Sequence, residues 1–204
     1  MAVTKFKTTS SFTNLTKYDS FLAGNSAYSP YAYESIATAT ATGSETSITF
    51  SSIPSTYTSL QVRILGRNSA AATDASFAQM QVNGDTGTNY SLHELWGNGS
   101  TVTASGSGSQ SYMQYGTIVR NNATSGIFGV SIIDIHDYAS TSRNKTFRMF
   151  TGNDRNGSGI LALFSGVWLS TSAITSLTFF PNNVGGTQTF IAGSNFALYG
   201  IKGA

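Results

Sequence analysis

A chain of 204 residues has room for one sizeable β domain, and its 12% aromatic content is too rich in groups that need burial for a disordered chain. Only 10% of the residues are charged, and the net charge of +2 comes from scattered lysines and arginines; an electrostatic nucleic-acid partner would need them clustered. The chain contains no cysteine, which excludes thiolate zinc sites, redox motifs and disulfide frameworks.

The first 33 residues form a polar stretch with no helical or strand period, studded with Phe6, Phe12, Tyr18, Phe21, Leu22, Tyr28 and Tyr31. We read residues 1–33 as an extended N-terminal arm, with one short helical turn near Asn14 to Leu22 closed by Gly24, and these apolar residues as its protein-interface anchors. Met1 to Lys7 carries two lysines with no apolar run after them, so no secretory signal is expected there. The longest apolar run, Gly159 to Leu169, is too short for a membrane helix, and no membrane partner is expected.

From Ser35 onward the period is two. Ser35–Thr40, Thr46–Phe50, Leu60–Ile64, Phe77–Val82, Tyr90–Trp96 and Ser111–Val119 read as strands. So do Ile127–His136, Lys145–Phe150, Ile160–Trp168, Ile174–Phe180 and Phe196–Ile201. Asn83-Gly84, Asn98-Gly99, Asn121-Asn122, Asn156-Gly157 and Gly185-Gly186 supply the turns between them. Gly97 to Gln110 is rich in Gly, Ser and Thr and reads as a flexible loop. Short strands separated by Asn/Gly turns predict an all-β fold over residues 34–204, an antiparallel β-sandwich of jelly-roll type.

Candidate chemistry is sparse. Alternation places Asp134 and His136 on one face of a strand, where a serine would complete a hydrolase triad, but no Gly-x-Ser-x-Gly elbow is present. Of the acids, only Glu94 and Asp134 fall inside strand-like runs, and no pair is set apart as a glycosidase would require. Asn83 to Gly87 and Gly152 to Gly157 resemble calcium loops in composition, yet each holds one carboxylate, and the Asp85 loop reads better as a hairpin turn. No catalytic, metal or cofactor site is therefore assigned. Trp168 reads as core. Trp96, beside the Gly97-Asn98-Gly99 turn, is the alternative carbohydrate-binding residue, placed to stack on a sugar ring.

Lys17 to Asn25 followed by Tyr33 to Thr38 resembles small virion proteins of tailed bacteriophages, especially those of cyanobacteria and marine bacteria. Ile48 to Arg63, Val82 to Ser91, Asp134 to Tyr138, Thr171 to Leu177 and the terminal Phe196 to Gly203 extend that resemblance along nearly the whole chain. It implies a non-enzymatic structural protein of the particle: a capsid decoration (cement) protein that binds the major capsid protein on the outside of the head. A homotrimer with a jelly-roll sandwich is the implied assembly, formed in the host cytoplasm. The alternative it implies is a tail-fibre or receptor-binding module that recognises host surface carbohydrate.

Overall fold

A computed structural model of the chain describes residues 33–182 and 185–202. The residues assigned to the arm as anchors, and the helical turn expected over residues 14–22, lie outside the described residues.

Within them the chain is all-β, with twelve strands and no helix. The first four are β1 (Tyr33–Thr40), β2 (Ile48–Phe50), β3 (Ser59–Asn68) and β4 (Ala75–Val82). Next come β5 (Tyr90–Gly97), β6 (Val102–Gln110), β7 (Met113–Arg120) and β8 (Gly129–His136). The chain closes with β9 (Lys145–Asp154), β10 (Gly159–Trp168), β11 (Leu177–Phe180) and β12 (Asn195–Ile201). β1 opens at Tyr33, the last residue of the expected arm.

The pairing has a single logic. β1 pairs with β12, β2 with β11, β3 with β8 and β4 with β7, all antiparallel, as if one long ribbon had been folded back on itself. Rolling that ribbon sets β12 beside β3 and β11 beside β4. Two four-stranded sheets result, β1-β12-β3-β8 and β2-β11-β4-β7, which is the jelly roll expected from the sequence. Two extra hairpins then widen the first sheet alone. β9–β10 follows β8, and β5–β6 joins the far side of β10, so that this sheet runs β1-β12-β3-β8-β9-β10-β5-β6. A two-residue parallel contact of Arg67 and Asn68 with Val119 and Arg120 ties the sheets at one corner.

The turns are those the sequence names. Asn156 and Gly157 both take positive φ and close the β9–β10 hairpin, which Arg155 N–H seals by donating to the Ser158 carbonyl at 2.7 Å. Between the sheets Tyr115, Phe179, Phe196 and Phe190 form a file of rings with centroids 4.9 to 5.7 Å apart, and Leu60, Val62, Ile133 and Phe147 pack around it, all fully buried.

One expectation is overturned. Residues 102–110 are not a loop but strand β6, registered on β5 from Gly97↔Val102 to Tyr90↔Gln110. Its Gly/Ser composition has low strand propensity, but β5 supplies a ready-made ladder and the Asn98-Gly99 turn feeds the chain onto it. Pairing decides the outcome there, because the side chains of β6 are almost all exposed.

Candidate functional site

The widened sheet buries one face against its partner sheet and turns the other outward. In β9 the pattern is regular: Phe147, Met149 and Thr151 point in, and Arg148, Phe150 and Asp154 point out. The outward set is unusual for a strand facing water. Cross-strand register lines up Ile132, Phe150, Leu163 and Leu95 as directly paired neighbours on β8, β9, β10 and β5. A second row, one pleat further along, runs Leu65, Val130, Gly152, Leu161, Gly97 and Val102 from β3 to β6. The eight apolar side chains of these rows are 39% to 77% exposed. Together they carry on the order of 500 Å² of apolar surface, at the upper end of the largest patch found on a monomer.

The stripe is framed by polar groups. On one side the next row reads Gln61, Asp134, Arg148, Ser165 and His93. Asp134 accepts from Gln61 Nε2 at 2.8 Å and from Arg148 at 2.9 Å; burial pushes its carboxyl up, but these bonds outweigh that and hold it below the usual range. On the other side lie the Asn98-Gly99 and Asn156-Gly157 turns, around a depression of about 740 Å³ floored by Val130, Leu161 and Phe128. At the β3 end the Arg63 guanidinium sits over the rings of Tyr33 and Tyr199, 5.6 and 5.1 Å from their centroids.

The structure separates the residues that sequence chemistry singled out. Asp134 and His136 do share the outer face, but His136 Nδ1 meets Ser59 Oγ at 3.1 Å while Asp134 is occupied by Gln61 and Arg148. Acid, imidazole and hydroxyl thus form no relay. Glu94 pairs across the ladder with inward Phe164 and bonds Ser105, so it lies on the opposite face from Asp134 and three strands away, roughly 14 Å. The Asp85 carboxylate accepts from Trp168 Nε1 at 2.6 Å, from Asn89 Nδ2 at 2.9 Å and from Gly87 N–H at 2.8 Å. The Trp168 bond leads in lowering its pKa. The loop is not the hairpin turn expected from the sequence: β4 pairs with β11 and β7 and β5 with β10 and β6, so the turn at Asn83-Gly84 carries the chain from one sheet to the other. No group of three or more His, Asp or Glu side chains is gathered to hold a metal among the described residues. Trp168 is core at 3% exposure. Trp96 is half-buried, packs against the core and stands on the face opposite Leu95.

Sequence reading passed over the stripe because it looked for alternation. The signal was its failure: Ile160-Leu161-Ala162-Leu163-Phe164 and Ile132-Ile133 are apolar on both faces of their strands. A strand apolar on both sides is covered on both sides in parallel sheets, and here the antiparallel sheet leaves one side bare. Compared with family models, with curated proteins and with solved structures, the chain matches none of them, and the exposed stripe is the feature on which a functional reading stands.

Proposed function

We propose that the chain is a structural protein of a phage particle, a capsid decoration protein that binds the outside of the head and stabilises it. The observation that carries this reading is the apolar stripe across the outer face of a jelly-roll sandwich. Such a surface is satisfied when the molecule is packed into an assembly, and the sparse charge of the chain leaves little repulsion to oppose that packing. The aromatic-rich first 33 residues supply a second adhesive element, with Phe6, Phe12, Tyr18, Phe21, Leu22, Tyr28 and Tyr31 as anchors for pockets on the major capsid protein. Many weak copies on one lattice gain by avidity.

The test adds purified full-length chain, or chain lacking residues 1–30, to phage heads stripped of their decoration. Full-length protein is expected to bind in copies on the order of hundreds per head, and the truncated protein to remain folded and unbound. Full occupancy by the truncated chain would remove the arm from the attachment, and a yield of about a dozen copies per particle would place the protein in the tail instead.

A further inference from the structure

The stripe has an internal pattern of large and small positions that selects its occupant. We propose that a second copy of this chain seats on it, face to face, across a two-fold axis running along the strands midway between β9 and β10. The pairing rests on the same stripe as the capsid reading, and with a second copy seated there the attachment to the head falls to residues 1–33; solution mass tests the pairing, and head binding tests the capsid reading separately.

The axis is fixed by the sheet. β9 and β10 are the central pair of the six strands β3, β8, β9, β10, β5 and β6 that carry the stripe. Rotation about a line between them exchanges β9 with β10, β8 with β5 and β3 with β6, and keeps each row on itself. In the row that contains glycines, Leu161 then meets Gly152 of the second copy, and Val130 meets Gly97 of the second copy. The two inner pairs thus set a bulky side chain against a position without one, and at the outer ends of the row Leu65 meets Val102 of the second copy.

Those glycines have no local need to be glycine. A Cβ on Gly97 would come no closer than 3.7 Å to anything in its own chain, and one on Gly152 no closer than 3.4 Å, both ordinary contact distances. Each hollow is bordered by its cross-strand neighbour, Gly152 by Leu161 Cδ1 and Gly97 by Val102 Cγ2 at 4.0 Å, and beyond the adjacent residues no other side chain of the same chain comes within 4 Å. In the neighbouring row, the same operation sets Phe150 against Leu163 and Ile132 against Leu95. In the polar row it sets Asp134 opposite His93, so no like charges are forced together. Aligned sheets pack about 10 Å apart and about 30° askew, so the correspondence is closest near the axis, where the Leu161–Gly152 and Phe150–Leu163 meetings lie.

Area agrees with the pattern. Roughly 500 Å² of apolar stripe plus its polar frame approaches the roughly 800 Å² per partner of a standard interface. A partner of different sequence would owe nothing to the two-fold matching of large to small. A two-fold face also differs from the three-fold contact of the homotrimer that the family resemblance implies.

The test is the solution mass of the full chain by sedimentation equilibrium, with circular dichroism as the folding control. The wild-type protein is expected at an even multiple of its 21.5 kDa chain mass, and Leu163→Asp, at a half-exposed position, at half the wild-type mass. Gly97→Val separates a fitted interface from a merely sticky one. It adds apolar surface, which would strengthen unspecific association, but it fills the hollow reserved for Val130 and should weaken the pairing by about tenfold or more. The swap Gly97→Val with Val130→Gly exchanges knob and hollow and should restore the wild-type mass. A wild-type monomer at roughly 100 µM, an unchanged mass for Leu163→Asp, tighter association of Gly97→Val, or failure of the swap would each overturn the proposal.

Discussion

Arg67 brings a guanidinium into the core, where its partners are the backbone carbonyls of Asn121, Ala123, Thr124 and Ile127 at 2.7 to 2.9 Å. At 4% exposure it pins the loop between β7 and β8, and that loop sets the start of β8 on which Val130 and Ile132 stand. The hydrocarbon stem alone would fill the space but leave buried acceptors unpaired. Arg67→Met is therefore expected to cost about 3 kcal/mol or more of unfolding free energy, measured by urea denaturation. Nothing in the sequence marked this residue, since it lies three residues past the strand read over Leu60–Ile64, and its partners are carbonyls rather than an acid. Tyr115 is the opposite case: its ring was expected in a core strand, while its fully buried hydroxyl has no hydrogen-bond partner and burial pushes its pKa upward.

At the scale of elements, eleven of the strands were legible because period two and Asn/Gly turns are local signals; their ends were less so, since β3 runs on past Ile64 to Asn68, β9 past Phe150 to Asp154, and β11 begins at Leu177 rather than Ile174. The twelfth, β6, was not, because its order comes from β5 across a ladder and not from its own side chains. Its position has a dynamic consequence. β6 is the last strand of the widened sheet, exposed on both faces, and it carries neither charge nor proline to blunt its open edge. Hydrogen exchange of the wild-type protein, measured under conditions that keep it monomeric, should find the β6 amides exchanging at least about a hundredfold faster than those of β3, β8 and β9, whose neighbours lie on both sides. Equal protection would show that the edge is covered.

For the whole molecule, the carboxylates set the response to acid. Glu45 accepts from the Thr42 hydroxyl and from three successive backbone N–H groups, of Thr42, Gly43 and Ser44, and the Thr42 hydroxyl bond leads in drawing its pKa down to about 2. Asp85 and Asp134 are lowered as well. All three have folded pKa values below their unfolded ones, so the stability they contribute is present above the unfolded values near 4 and is lost as pH falls through the folded values. The melting temperature is expected to drop between about pH 5 and pH 2, with Glu45→Gln flattening the lower part of that limb in scanning calorimetry. The global topology was readable only as a class. Strand number and spacing indicate a jelly roll, but the attachment of two hairpins to one sheet, and with it the exposed stripe, depends on pairings far apart in sequence, such as β5 with β10.

The ribbon logic of the fold joins its two ends. Tyr33 pairs with Ile201, so the chain enters and leaves the sandwich at one corner. Tension applied between the two ends would peel β1 from β12 one rung at a time, instead of shearing the rungs together, and the sandwich would begin to open there under small force. The same adjacency means that a short covalent join could close residues 33–202 into a ring, and new ends could be cut at the Asn98-Gly99 bend.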